Sequence, residues 1–129
     1  MAAALYDSGR EAFLTGQIQF LADTIKTALL ESTAVINTAT DQYLSTYTGL
    51  ISSTSGALTS KTAVGGVADA DNVSFTGVSG PNIGYLIMYK DTGNPATSQL
   101  IAYWDLAITP SGGDLQVVWD GAPNYIFKL

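Results

Sequence analysis

The run Ile83-Gly84-Tyr85-Leu86-Ile87-Met88-Tyr89-Lys90 constrains this chain more than any other stretch of it. In an extended strand successive side chains point to opposite faces. Ile83, Tyr85, Ile87 and Tyr89 therefore fall on one side, and Leu86 and Met88 on the other. A strand that is apolar on both faces has none to give to water and belongs in the middle of a fold. Asp91-Thr92-Gly93-Asn94-Pro95 follows as a turn cluster, and residues 100–106 are its expected hairpin partner.

Much of the remaining chain carries the same strand pattern. Residues 23–31 alternate, with Ile25, Thr27 and Leu29 on one side, and predict a strand. From residue 50 onward the pattern is β. Residues 57–64 form a Thr-rich strand candidate, Gly65-Gly66 a breaker, and residues 73–78 a strand with Val73 and Phe75 in phase. Pro110-Ser111-Gly112-Gly113-Asp114 is a turn, after which Leu115, Val117 and Trp119 alternate. Asp120-Gly121-Ala122-Pro123 turns into a last strand over residues 125–129. Short strands set off by Gly, Pro and Asn turns predict a mainly β fold, an antiparallel β-sandwich or a barrel-like arrangement.

One or two short N-terminal helices are expected to precede the sheet. Ser8-Gly9-Arg10-Glu11 matches a capping box, Ala12, Phe13 and Leu14 follow, and Gly16 is a stop signal. A second reading carries one helix through Ile18 and Leu21. Thr40-Asp41-Gln42-Tyr43-Leu44 reads as a capped helical turn. With 129 residues the chain is expected to be a single domain over residues 1–129. The apolar residues 1–6, outside the predicted core elements, are the candidate for an N-terminal arm reaching a neighbour, with a self-docked end as the alternative.

Composition narrows function. There is no His and no Cys. Disulfides, thiol nucleophiles, Cys or His metal sites and His-based general bases are excluded on that ground. Eleven acidic against five basic residues leave a net charge of −6. Because phosphate neutralisation supplies most nucleic-acid affinity, basic residues dispersed at positions 10, 26, 61, 90 and 128 predict no DNA or RNA binding. Only 12% of residues are charged, against about 25% in ordinary domains, which suits a surface packed against neighbours. The N-terminus lacks a basic start and carries Asp7, unlike a signal peptide. No run approaches the roughly 18 apolar residues of a membrane span. A soluble protein without membrane partners is expected.

The side chains that invite a chemical reading have plainer roles. Asp69-Ala70-Asp71-Asn72, laid on a calcium loop, places Ser74 where glycine is needed and Gly80 where the bidentate glutamate belongs. It reads as an Asx-rich turn. Asp91, Asp105, Asp114 and Asp120 lie near strand ends and turns. Glu11 has the capping role and Glu31 ends a strand, which leaves no pair placed for glycoside hydrolysis. Tyr85, Tyr89, Tyr103, Trp104, Trp119 and Tyr125 fall within predicted strands, where aromatics pack; a partner-binding face is the alternative. Arg10, the only arginine, is expected to pair with an acid or carbonyl near its helix. No catalytic, cofactor-binding or metal residue is assigned, and no enzyme activity is expected.

Several segments do resemble a known family. Ala4-Leu5-Tyr6-Asp7-Ser8-Gly9-Arg10-Glu11-Ala12-Phe13-Leu14 and Asp23-Thr24-Ile25-Lys26 open the match. It continues through Gly66-Val67-Ala68-Asp69-Ala70-Asp71-Asn72-Val73-Ser74-Phe75, Tyr89-Lys90-Asp91-Thr92-Gly93 and Leu100-Ile101-Ala102-Tyr103-Trp104-Asp105, and ends with Asn124-Tyr125-Ile126-Phe127-Lys128-Leu129. Together they resemble small virion structural proteins of tailed bacteriophages over nearly the whole chain. The stretch 106–110 is shorter than that resemblance leads one to expect and implies a trimmed hairpin.

The resemblance implies a head-associated component of the capsid-decoration, or cement, type. Its partners would be the major capsid protein on the outer surface of the shell and further copies of itself, as a homotrimer, with synthesis in the host cytoplasm. An acidic chain suits the outside of a shell better than an interior facing packaged DNA. A tail or neck component, whose acidic lumen lets DNA slide, is the alternative. A host- or glycan-binding virion module is a third.

Overall fold

In a computed structural model, which describes residues 3–119 and 126–128, the chain is mainly β, with antiparallel sheets in a sandwich-like arrangement. The elements run β1 (Ala3–Leu5), α1 (Asp7–Leu14), β2 (Ile25–Glu31), a 3-10 helix (Leu44–Tyr47), β3 (Ile51–Thr54), β4 (Thr62–Val64), β5 (Val67–Asp69), β6 (Val73–Phe75), β7 (Ile83–Lys90), β8 (Leu100–Ile108), β9 (Leu115–Val117) and β10 (Phe127–Lys128). Five strands in the order β1-β8-β7-β2-β3 make the main sheet; β10-β5-β4 and β6-β9 make two small ones.

The strand predicted to be central is β7, with the expected bounds, hydrogen-bonded to β2 on one side and β8 on the other. Its two apolar faces meet two separate cores. Leu86 and Met88 join Ile25, Leu29 and Trp104 under α1 and the small sheets. Ile87 and Tyr89 join Ala28, Leu30, Leu44 and Tyr47 on the opposite face, beneath the connection between β2 and β3. β2 is therefore buried on both faces, where its alternation had suggested one. The single polar residue buried in it, Thr27, gives its hydroxyl and amide to Ser55 Oγ at 2.8 and 3.0 Å, so no polar group is stranded.

The start of the chain corrects two expectations. Residues 3–6 form no free arm, and the self-docked alternative holds for them. β1 pairs antiparallel with β8, Tyr6 is fully buried, and its amide donates to Ile101 O at 2.9 Å. The capping box does not form either. Anchored Tyr6 is itself the N-cap, the helix begins at Asp7, and Ser8 Oγ instead reaches Asp41 O at 3.3 Å. The stop signal holds. Gly16 has φ +77° and donates to Phe13 O, while Gln17 N donates to Ala12 O at 2.8 Å. These are the two bonds of a Schellman motif, and they rule out the helix continuing to Leu21.

Elsewhere the boundaries move. The turn expected over residues 40–44 lies at residues 37–41, held by Asn37 and Asp41 side chains, and helical geometry resumes only at Leu44. Tyr43 forms an isolated bridge with Gln99, which keeps that point extended, while Leu44 and Tyr47 turn into the core. In residues 57–64 only Thr62–Val64 is laddered, and the strand preceding it is Ile51–Thr54 on the edge of β2. Gly65-Gly66 is the two-residue turn joining β4 to β5. β8 extends two residues beyond the expected 100–106, to Ile108. β9 pairs with β6, and β10 with β5. Asp120, Tyr125 and Leu129 lie outside the described residues. Among the described residues no helix is long and apolar enough to cross a membrane.

Beneath the β2–β3 connection a buried hydroxyl chain ties Tyr6 to a residue 41 positions away. Tyr47 donates its proton to Asp41 Oδ2 at 2.7 Å, so Tyr6, 2.7 Å away, is the donor to Tyr47. Burial pushes both phenols far above the ordinary tyrosine value. Tyr89 is pushed up to about 12, first by burial and then by the charge of Asp91. A raised folded-state value means full stabilisation below the ordinary 10.0, and loss of it as pH rises toward the folded value. Three of the seven tyrosines are therefore expected to remain protonated until the fold opens. In an alkaline titration, part of the phenolate absorbance should appear together with loss of sheet signal. Full ionisation of all tyrosines before any unfolding would contradict this arrangement.

Candidate functional site

Most residues singled out for chemistry are occupied in holding the fold. Asp71 accepts from Thr59 Oγ1 at 2.9 Å and gives its amide to Thr59 O. Its carbonyl accepts from Trp119 Nε1 at 3.1 Å, and Asn72 Oδ1 takes the Trp119 amide. The Asx turn is thus a staple between Thr59 and Trp119, just past the end of β9. Asp69 ends β5, and Asp114 accepts from Gly77 N at 3.0 Å. Asp105 is half-buried within β8, Glu31 ends β2, and Glu11 is exposed on α1. Among the described residues no three His, Cys, Asp or Glu side chains gather as a metal site would require.

The described aromatic residues of that set are likewise absorbed into packing. Tyr89 and Trp104 are buried; Tyr103 meets Tyr6 and Tyr85 edge-on with ring centres 6.2 Å apart. Trp119 lies 5.3 Å from Trp104.

The five basic residues, scattered in sequence, are gathered by the fold into two groups. Three meet where β2 begins and β7 ends. Lys26 pairs with Asp91 at 3.0 Å, Lys90 pairs with Asp23 at 3.3 Å, and Lys61 donates to the Asp23 carbonyl. The Lys26 ammonium, helped by the Gly93 amide, holds the Asp91 carboxyl below the usual carboxylate value. These charges are engaged with one another and form no open basic patch.

Arg10 and Lys128 make the other group, on a groove between the two ends of the chain. Ala3–Leu5 of β1 and residues 102–104 of its partner β8 line one side and Phe127 and Lys128 of β10 the other, with Phe13 and Leu14 at one end. Phe127 is fixed by Phe13 and Phe20, at centroid distances of 5.9 and 5.8 Å. Leu14 is 88% exposed. Arg10 pairs with Asp7 at 3.2 Å as expected, but both side chains are more than half exposed, and such pairs are worth little. The guanidinium remains available to another carboxylate, and Lys128 is exposed.

Nothing in the sequence singled this groove out, although one signal pointed to it. Ala12, Phe13 and Leu14 are consecutive, and at 3.6 residues per turn they sweep roughly 200° of a helix. A helix lying with one face on a sheet cannot bury all three, so Leu14 is left outside. Among known proteins, no family model and no curated sequence matches the chain.

Proposed function

We propose that this protein is a non-enzymatic virion component of the capsid-decoration type. In this reading it docks as a homo-oligomer, a trimer, on the outer surface of a shell of major capsid protein and stabilises it. The observation that carries the reading is the exposed groove where Arg10 and Lys128 stand beside Leu5, Phe13, Leu14 and Phe127, on an acidic body in which most of the other described basic and aromatic side chains are engaged in the fold. Such a groove buries its apolar area only when a partner is present. The low charge density supports it further, because a surface with few Lys and Glu is cheaper to desolvate at repeated contacts. A closed ring needs two different complementary faces on each protomer. Specific interfaces bury about 800 Å² per partner, which a domain of this size can supply more than once.

Copy number in purified particles tests the proposal. Hundreds of copies per particle, a trimer in solution by light scattering, and loss of heat resistance in particles made without the protein are the expected results. Particles equally heat-resistant without it, or its location at the tail alone, would overturn the reading.

A further inference from the structure

We infer that an extended, acidic and apolar segment of a partner protein adds as a strand to the free edge of β1, beside the groove that β1, β8 and β10 line. The inference deepens the docking role proposed above and rests on it. β1 and β10 are both terminal strands of their sheets. Among the described residues no strand pairs with β1 on the side away from β8. Tyr6 N donates to Ile101 O, and Leu5 is in register with Ala102. Backbone groups alternate sides along a strand, so Ala4 faces β8 while the amide and carbonyl of Ala3 and Leu5 face outward. An extended segment would satisfy these groups, as in strand addition to an open sheet edge.

The charges select which segment. Three of the five cations are held where β2 begins and β7 ends, by Asp23 and Asp91. The other two, Arg10 and Lys128, flank this groove on a molecule of net charge −6. An added strand turns one face to this lining, where Arg10 and Lys128 stand beside Leu5, Phe13, Leu14 and Phe127, so that face must carry both carboxylates and branched apolar side chains. The remaining sheet edges lack this pairing of features: β4 is exposed along its whole length, and Lys61 beside it is already engaged with the Asp23 carbonyl.

The test uses the whole chain and a short fluorescent peptide in which glutamate and valine take turns at every second position with threonine between them, and a control with lysine in place of glutamate. The glutamate peptide is expected to bind and the lysine peptide not to. On binding, the Ala3 and Leu5 amides should gain protection from hydrogen exchange, while Ala4, already bonded to β8, stays unchanged. Lys128→Glu should weaken binding about tenfold. Ala3→Pro, which removes an outward amide without touching the β1–β8 ladder, should weaken it with no change in melting temperature. Absence of binding, equal binding of the two peptides, or affinity unchanged in both variants would overturn the inference. Particle association is measured separately. If it persists in the Lys128→Glu variant, the groove assignment falls and the virion role stands; if the protein is absent from particles, the virion role falls.

Discussion

Truncating either Leu29 or Leu30 to alanine is expected to lower the free energy of unfolding by about 2–5 kcal/mol, although the two are neighbours in the chain. In a sheet with one solvated face only one of them would matter, because consecutive side chains point to opposite sides. Here both are fully buried. Leu29 packs with Ile25, Leu86 and Met88 beneath α1 and the small sheets. Leu30 packs with Tyr6, Ala34, Tyr47 and Ile87 beneath the β2–β3 connection. Each truncation removes buried methyl groups and leaves a cavity that rigid strand neighbours close only in part. Denaturant unfolding of the two variants checks this. A loss within about 0.5 kcal/mol for either one, the range of ordinary surface changes, would show that one face of β2 is not a core.

Gly9→Ala is expected to destabilise the protein by about 1–3 kcal/mol through overpacking. The sign is the informative part, since in an exposed helix the same change stabilises by about 1 kcal/mol. Gly9 is buried where α1 crosses β8, and a Cβ there would stand 2.7 Å from Leu100 O and 3.1 Å from Ile101 Cα. Both contacts are backbone atoms of a strand held by β1 on one side and β7 on the other, so neither can move aside as a side-chain tip would. The helix must lift instead. That would also shift Phe13 away from Phe127 and deform the groove. Arg10→Ala, on the exposed side of the same helix, is the control and should stay within about 0.5 kcal/mol. A Gly9→Ala variant as stable as the parent chain would mean that α1 does not sit on β8 at backbone contact.

The central strand was legible from the start, because being apolar on both faces is a property of eight consecutive residues and needs no partner to be recognised. The Gly16 stop and the turns at residues 91–95 and 110–114 were legible for a similar reason. Their signals are local backbone preferences of glycine, proline and asparagine. Whether the N-terminus is an arm or a self-docked end was left open, and the capping box failed, for the opposite reason. Ser8 and Glu11 carry the cap pattern, but Tyr6 is taken by Ile101 and Tyr47, residues far along the chain that no local pattern reports. β2 misled in the same way, since alternation over residues 23–31 says nothing about whether a distant segment covers its second face.

By itself the sequence determined the mainly β character, the position of Ile83–Lys90 at the centre, and the absence of His and Cys chemistry. Each follows from residue types and their spacing over a few positions, where side-chain direction and turn geometry are set locally. The tertiary structure alone decided that β1 pairs with β8 and β10 with β5, and that three lysines meet around Asp23 and Asp91. It alone brought Arg10 and Lys128 to one groove from opposite ends of the chain. Those outcomes depend on which distant strands close on one another. That is governed by how two cores fill on either face of a single sheet, and a pattern confined to one strand does not encode it.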